Sequence, residues 1–394
     1  MPPADFYTSN RQRLLDKSEV DLIVIAGHVE LQRSHDTGYP IRQDSNFLYL
    51  SGVDAAGAIL IFDKHRSALL LPSQNNSEQI FDGAHNYSQI KARSGVDEVL
   101  SGQAANDYFN KLVKSAKSIG TLKSYQSPIW ATMWPNPARA RLLRMIRRQT
   151  AVKITDLRAD LASLRMQKQP IEIEQITKAV DHTLSTIQEI EAKAKSYQFE
   201  YEIEADITAG FRRRGATGHA YSPIVANGRN ATTLHYTAND STIDAEQLTL
   251  IDVGAEVNGY AADITRILSH RQPSSRQMEV ISAVRELQDY AISLLEVGID
   301  FKEYELNLVS RVGKTLINLG LIQTVTDANV RKYYPHRTSH FLGLDVHDVG
   351  DYSKPLVANS VVTVEPGIYI PEESIGVRIE DDVLITPTGA KILG

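Results

Sequence analysis

The sequence predicts two consecutive domains, an α/β domain followed by an α+β domain, and two patterns support this prediction. Residues 1–160 alternate short apolar runs of strand length, such as 21–27, with segments of helical periodicity, such as 106–117. That order is typical of helices packed around one sheet. Residues 161–394 instead show two long helical segments followed by a β-hairpin, twice over. The second pattern indicates an internal duplication of a structural unit, with weak sequence similarity between its halves.

The first domain is predicted to contain four strands and two well-defined helices, followed by a further strand and a short helix near its end. The strands are expected at 21–27, 47–50, 58–62 and 68–71, and the helices at 106–117 and 137–148. Near the end of this domain a strand leads into a short helix with a charged end, and Gln169-Pro170 follows. Because a proline disfavours helical conformation in the residue before it, this is a natural boundary. We divide the chain into 1–160 and 161–394, to within several residues.

The second domain is predicted from its periodicity alone. Its expected helices are 171–195, 201–214, 274–295 and 304–319, and its expected strands are 221–226, the hairpin 248–268, 360–370 and 376–385.

Composition limits the possible functions of the protein. A chain of 394 residues can bury two sizeable cores, and its formal charge of -6 argues against a dedicated nucleic-acid binder. The absence of cysteine excludes disulfides, thiolate metal sites and cysteine nucleophiles, so any metal must bind through oxygen and imidazole. The N-terminus does not resemble a signal peptide, and no apolar run reaches the ~18 residues of a membrane span. We therefore expect a cytoplasmic protein with neither nucleic-acid nor membrane partners.

The hairpin at 248–268 is predicted to bring two acids together. Asn258-Gly259 favours a type I′ turn, and with that turn Asp252 and Asp263 become diagonal neighbours on one face, about 7–8 Å apart. Gly254, directly opposite Asp263, is expected to leave open space there. The two carboxylates can then share a metal centre. The alternative is a pair of solvent-facing acids on an edge hairpin.

The second hairpin carries charged residues inside apolar segments. In VVTVEPGIYI, Glu365 ends an apolar run just before a Pro-Gly pair. In GVRIEDDVLI, strand alternation puts Arg378 and Glu380 on one face and Val377 and Ile379 on the other. These charges indicate either a structural ion pair or part of a site.

Three histidines lie between the hairpins, in HRTSHFLGLDVHDVG. His336 and His340 have the spacing of a helical zinc pair, but Gly343 argues against a continuous helix, and His347 follows seven residues later. Four carboxylates and one imidazole can hold two divalent cations, since two such ions neutralise four negative charges in a poorly solvated pocket. Oxygen-dominated ligation favours Mn²⁺, Mg²⁺ or Co²⁺.

These residues carry a family resemblance that runs through nearly the whole chain. The order of the five candidate ligands resembles the dinuclear site of the pita-bread metallopeptidases, and HRTSHFLGLDVHDVG, TVEPGIYI and GVRIEDDVLIT resemble aminopeptidase P, with prolidase a near neighbour. YPIRQDSNFLYLSG is similar to the family's creatinase-like N-terminal domain, and LRMQKQPIEIEQI to its interdomain junction. The resemblance implies a creatinase-like α/β domain followed by a pita-bread α+β domain.

The resemblance also implies the roles of the metal ligands. Asp263 and Glu380 would bridge two divalent ions, Asp252 would chelate one, and His340 with Glu365 would complete the other. Manganese is the expected metal, with cobalt or zinc as alternatives. A hydroxide bridging the ions would attack the peptide bond, and Glu365 would also be the proton shuttle.

Five further residues match the family's substrate-contacting positions. His235 and His347 would contact the substrate carbonyl and stabilise the oxyanion. His336, Tyr369 and Arg378 would line the pocket for proline, although Arg378 would equally well orient a ligand carboxylate.

The implied activity is hydrolysis of the bond between an N-terminal residue and a following proline, by a homo-oligomer, either dimer or tetramer. One alternative is a prolidase restricted to Xaa-Pro dipeptides, and another is an inactive peptide-binding scaffold on the same fold. Creatinase-type chemistry is disfavoured because all five ligand positions are filled. Arg337 departs from the glycine usual after the first histidine of this motif. We expect it to point outward, in keeping with an aminopeptidase.

Overall fold

The structure is a computed structural model that describes residues 1–125 and 133–394. It separates into two compact units, Met1–Leu164 and Arg165–Gly394.

The first unit is organised around a mixed sheet with the strand order β6-β5-β4-β1-β7-β8. Its helices are α1 Ala4–Lys17, α2 Ser45–Ser51, α3 Asn76–Asp82, α4 Tyr87–Ser94, α5 Gly102–Ser115, α6 Ala138–Gln149 and the beginning of α7 Arg158–Met166. Its strands are β1 Leu22–Ala26, β2 Gln32–Ser34, β3 Thr37–Gly38, β4 Ile59–Phe62, β5 Ser67–Leu71, β6 Glu98–Ser101, β7 Ser118–Thr121 and β8 Lys153–Asp156. Helices of this unit pack their apolar sides on the sheet, as the α/β prediction requires.

One predicted strand of this unit is wrong. Residues 47–50 belong to α2, because both ends of that segment carry helix signals that outweigh its β-prone composition. The Asp44 carboxylate accepts hydrogen bonds from the backbone N–H groups of Asn46 and Phe47, each at 3.0 Å, which is the capping contact of a helix N-terminus. Gly52 ends the helix in the left-handed conformation, with φ 65°.

The second unit combines long helices with short sheets. Its helices are α8 Pro170–Ala192, α9 Glu200–Arg213, α10 Ser275–Ser293, α11 Phe301–Asn318 and α12 Asp327–Tyr333. Its strands are β9 Gly218–His219, β10 Ile224–Asn227, β11 Leu248–Val253, β12 Ala255–Val257, β13 Tyr260–Ala261, β14 Ile264–Ser269, β15 Val361–Val364, β16 Gly367–Ile370, β17 Ile375–Arg378, β18 Asp381–Thr386 and β19 Gly389–Ile392. The sheet orders are β10-β11-β14, β13-β12-β9, β15-β18-β19 and β16-β17.

The first hairpin has the predicted register. Val257 pairs with Tyr260, and Asp252 pairs with Thr265. Both turn residues have positive φ, 53° at Asn258 and 87° at Gly259, as a type I′ turn requires.

Gly254 does not leave the open space that the sequence suggested. It lies between β11 and β12, where the two halves of the hairpin pass from one sheet to another. A Cβ atom at this position would lie 1.7 Å from the carbonyl oxygen of Ala262 and 3.0 Å from the Tyr221 ring. The glycine is therefore needed for the close approach of the two strands, just beside Asp263.

The second hairpin divides its side chains between a core and the candidate site. Val377 and Ile379 pack in a buried cluster with Val284 and Leu287 of α10. Arg378 alternates with them and projects to the opposite face, where its Nε donates to the Thr265 hydroxyl at 3.1 Å. The helix layer thus fixes the hairpin from behind, and the charged residues face the first hairpin.

Three of the predicted ligands lie at interruptions of strands. Asp263 lies between β13 and β14, Glu365 between β15 and β16, and Glu380 between β17 and β18. At Glu365 and Glu380 the backbone N–H groups instead bond to other segments, the carbonyls of Thr338 at 2.9 Å and Thr265 at 3.2 Å. These hydrogen bonds fix the backbone at the two points where the strands are interrupted.

We expect Gly254→Ala to destabilise the protein by about 1–3 kcal/mol, the usual cost of overpacking, because the added methyl group meets the Ala262 carbonyl. Thermal unfolding measures the effect. Gly218→Ala is the matched control: Gly218 pairs with Glu256 of the same hairpin, and its Cβ would meet no atom within 4 Å among the described residues. Equal melting temperatures for the two variants would contradict this account of Gly254.

Candidate metal centre

Asp263, His340 and Glu380 form the centre of the site. One potential ligand atom from each lies within 4.8 Å of the others. The His340 Nε2 atom is 3.4 Å from Asp263 Oδ2 and 3.5 Å from Glu365 Oε1. An imidazole and three carboxylates therefore converge on one small volume, brought there by the loop before β15 and by both hairpins.

Asp252 joins this group through a tyrosine that the sequence analysis did not identify. The Tyr221 hydroxyl is 2.6 Å from Asp252 Oδ1 and 2.6 Å from Asp263 Oδ1. A single hydroxyl hydrogen serves one carboxylate at a time, so the two acids share one donor. The diagonal arrangement of Asp252 and Asp263 predicted from the turn is thus present in the structure.

Arg378 is buried and uses all of its nitrogens on protein groups. One terminal nitrogen contacts Asp252, the other donates to the Tyr369 hydroxyl at 2.7 Å, and Nε donates to Thr265. The Thr265 hydroxyl in turn donates to Glu380 at 2.6 Å. Arg378 therefore holds one carboxylate directly and another through a threonine.

His336 lies beside this network. Its Nε2 atom is 2.8 Å from the Tyr369 hydroxyl, and its Nδ1 atom is 2.8 Å from the Arg337 carbonyl and 3.7 Å from Glu365. Desolvation and the nearby Arg378 charge lower the pKa of His336 to about 3. The His336 ring is therefore neutral at physiological pH, with one nitrogen that donates a hydrogen bond and one that accepts.

His347 and His235 are exposed at the edge of the centre. The His347 ring packs against the His340 ring with centroids 4.4 Å apart and planes at 73°. Desolvation, and then repulsion from His340, lower the pKa of His347 to about 4. An electrostatic interaction with His235 also contributes to lowering the pKa values of His336 and His347, so the His235 ring lies near both of them.

Three of the carboxylates, those of Glu365, Glu380 and Asp252, and the His340 ring hold protons more tightly than usual. Burial raises the pKa of Glu365 to about 8, with Asp263 adding repulsion and His340 opposing it. Burial also raises the pKa values of Glu380 and Asp252. For His340, desolvation acts against the charged form, but the hydrogen bond with Asp263 and the charge of Glu365 outweigh it and raise the pKa to about 9.

This donor set fits divalent metal ions. Carboxylate oxygens and one imidazole nitrogen converge at ligand distances from one another, and their mutual repulsion is the kind that a divalent cation relieves. The residues able to hold metal are Asp252, Asp263, His340, Glu365 and Glu380, and the acid and imidazole donors favour a hard or borderline ion over a soft one.

A further buried acid supports the centre from behind. Asp382 accepts a hydrogen bond from the backbone N–H of Asp263 at 3.0 Å, and burial, then repulsion from Asp263, raise its pKa. The sequence analysis did not single out Asp382, which directly follows Glu380 and Asp381, because its contact with Asp263 depends on how the two hairpins meet.

Comparison with known proteins agrees with this site. Residues 174–387 match the family model described as metallopeptidase family M24, and residues 7–120 match the one described as aminopeptidase P, N-terminal domain. The first match covers more than half of the chain. This chain belongs to metallopeptidase family M24. The two matches, in this order, confirm the predicted combination of a creatinase-like domain and a pita-bread domain, and membership implies divalent metal ions.

Relatives of this M24 chain align along nearly its whole length. An Xaa-Pro aminopeptidase of Haemophilus influenzae is 32% identical over 99% of this chain and 94% of its own. Human Xaa-Pro aminopeptidase 3 is 30% identical over 94% of this chain and 77% of its own. Among solved structures, aminopeptidase P from Escherichia coli with the inhibitor Pro-Leu is 29% identical, covers 100% of this chain and 95% of that chain, and has a TM-score of 0.89.

Across residues 1–125 and 133–394, no helix has the length and apolar character needed to cross a membrane.

The titration of the site predicts how the metal-free protein responds to pH. Burial raises the pKa of Glu365 from 4.5 to about 8, so the folded state binds this proton more tightly than the unfolded chain, and the resulting stability is lost as the pH rises from 4.5 through 8. His340, raised from 6.5 to about 9, contributes stability below 6.5 that is lost as the pH rises through 9. His336 and His347 are already neutral in this range.

Both groups act in the same direction, so the melting temperature of chelator-treated protein is expected to fall between pH 6.5 and 9. Glu365→Gln, which cannot ionise, should reduce that fall. A melting temperature that stays constant or rises across this range would contradict the assignment.

Proposed function

We propose that this protein is an Xaa-Pro aminopeptidase, a metal-dependent exopeptidase that hydrolyses the bond between an N-terminal residue and a following proline. The observation that carries the proposal is the convergence of Asp263, Glu380 and Glu365 on His340, with Asp252 joined through Tyr221. Its substrate class follows from the named relatives that align along almost the entire chain.

The centre is proposed to hold two divalent ions, because Arg378 and a single divalent ion would leave one of the four carboxylate charges uncompensated in a poorly solvated pocket. Asp263 and Glu380 would bridge them, Asp252 would bind one, and His340 with Glu365 the other. Manganese is the proposed metal, on the basis of the oxygen-rich donor set, with cobalt or zinc as alternatives. When bound, the ions would acidify a bridging water enough to supply hydroxide at neutral pH.

Glu365 is proposed to move the proton. Its carboxylate lies beside His340 and His336 and has an elevated proton affinity from burial. A carboxylate that can hold a proton near neutral pH can take one from the attacking water and give it to the leaving proline nitrogen.

His347 and His235 are proposed to contact the substrate carbonyl. His347 is neutral, exposed and in ring contact with His340. A neutral imidazole can donate an N–H to an oxygen that becomes negative in the transition state.

His336, Tyr369 and Arg378 are proposed to form the proline side of the site. Of these, Arg378 already uses its guanidinium nitrogens in contacts with Asp252, Tyr369 and Thr265. This supports its role in orienting the Asp252 carboxylate, with His336 and the Tyr369 hydroxyl nearer to the substrate. The X-Pro amide has no N–H, so selection would rest on the ring and the carbonyl.

The proposal also covers the compartment, the oligomeric state and the division into domains. We propose a cytoplasmic homo-oligomer, dimer or tetramer, with residues 1–160 as the creatinase-like domain and 161–394 as the catalytic domain. The filled ligand set disfavours an inactive scaffold.

Replacing His347 or His235 with alanine is expected to lower kcat by a factor of about 10²–10³, the usual cost of a lost oxyanion donor, while the bound metal stays unchanged. Elemental analysis beside steady-state kinetics separates the two effects. His340→Ala is the control and should lose metal. Loss of an ion from His347→Ala would mean that the ligand is misassigned among the histidines.

Peptide length separates an aminopeptidase from a prolidase. Arg337 is exposed, which supports its pointing away from the proline carboxylate, so we expect Ala-Pro-Ala to be cleaved at least as efficiently as Ala-Pro. Comparing kcat/KM for the two peptides in the presence of Mn²⁺ tests the proposed function. A strong preference for the dipeptide, relaxed by Arg337→Gly, would favour a prolidase instead.

A further inference from the structure

A buried ion cluster lies at the beginning of the second unit, apart from the five candidate ligands. Asp348 is buried and contacts two cations that are themselves almost fully buried. The Lys168 Nζ atom donates to Asp348 Oδ2 at 2.8 Å, and the Arg165 guanidinium contacts Asp348 Oδ1. Lys168 Nζ also donates to the Arg165 carbonyl at 2.7 Å. We refer to Arg165, Lys168 and Asp348 as the buried clamp.

The clamp is close-packed against the loop formed by residues 340–348, which carries His340 and His347. A Cβ atom added to Gly343 would lie 2.2 Å from Asp348 Oδ2 and 3.0 Å from Lys168 Nζ. The loop backbone therefore passes directly over the ion pair, and the carboxylate has little room to shift.

The two ends of this loop are held in different ways. At its beginning, His340 is fixed to the strand β15 through Thr363, whose N–H donates to the His340 carbonyl at 2.9 Å. At its end, the Asp348 N–H donates to the Phe341 carbonyl at 2.8 Å, and its side chain enters the clamp. His347 immediately precedes this anchored residue and is exposed, while Asp348 is buried.

We propose that the buried clamp positions His347 for its contact with the substrate. This inference rests on the role proposed above for His347. Asp348 touches neither substrate nor metal in this account: it is a positioning residue. By fixing the backbone one residue after His347, the clamp keeps that ring against His340, whereas His340 keeps its place through β15.

Because the buried clamp fixes His347 and β15 fixes His340, disrupting the clamp should affect kcat without loss of metal. Asp348→Asn should lower kcat for Ala-Pro-Ala by about 10- to 100-fold, as small misplacements of a reacting group do, with metal content unchanged. In a His347→Ala background the same substitution should change kcat by less than about twofold, because effects that act through one residue are not additive.

A second measurement does not depend on activity. In chelator-treated protein with isotope-labelled histidine rings, Asp348→Asn should shift or broaden the ring signals of His347 and leave those of His336 in place. This readout separates the inference from the proposed function, since a protein that fails to cleave Xaa-Pro peptides would still show the clamp acting on His347.

Two further variants serve as safeguard and control. Lys168→Met keeps the Arg165–Asp348 contact, so it tests the clamp even where Asp348→Asn does not fold, and it should give a smaller effect in the same direction. Asp351→Asn makes the same substitution three residues on, in an acid paired with Lys354 at 3.1 Å near the surface, and should leave kcat and the His347 signals unchanged. Equal losses with and without the His347 side chain, loss of metal from Asp348→Asn, or unchanged His347 signals would overturn the proposal.

Discussion

The arrangement of the second unit depends on the repulsion among buried carboxylates around His340. Burial and mutual repulsion raise the proton affinity of Glu365, Glu380 and Asp252, and positive charge must balance them in the working protein. Arg378 supplies one such charge, at Asp252. Divalent metal ions would supply the remaining positive charge, as membership of metallopeptidase family M24 implies.

The carboxylates that repel one another lie at interruptions between strands, where backbone hydrogen bonds to other segments hold them close together. Asp263, Glu365 and Glu380 each lie between two strands, and cross-links such as the one from the Glu380 N–H to the Thr265 carbonyl replace ladder hydrogen bonds. Behind the second hairpin, Val377 and Ile379 pack on the helix α10. An apolar core and a charged centre thus share one hairpin by alternation of side chains.

Sequence alone predicted much of this, for local physical reasons. The Asn258-Gly259 turn determined the register that pairs Asp252 with Thr265, because positive φ at both residues permits few alternatives. Segment 47–50 was mispredicted because composition was weighed above the Asp44 cap. Tyr221 was missed because nothing in the local sequence distinguishes a tyrosine that contacts two acids 31 and 42 residues away. The buried clamp was missed for the same reason, since Asp348 lies 180 or more positions after its two partners.

The most direct test of the account is the number of metal ions per subunit after equilibrium dialysis against Mn²⁺, for the unmodified protein and for Asp263→Asn. The substitution keeps the shape of the side chain and removes one of the charges that converge on His340. We expect two ions per subunit in the unmodified protein, and fewer than two, with activity lower by orders of magnitude, in Asp263→Asn. Full activity with no bound metal, or two ions retained by an active Asp263→Asn variant, would contradict it.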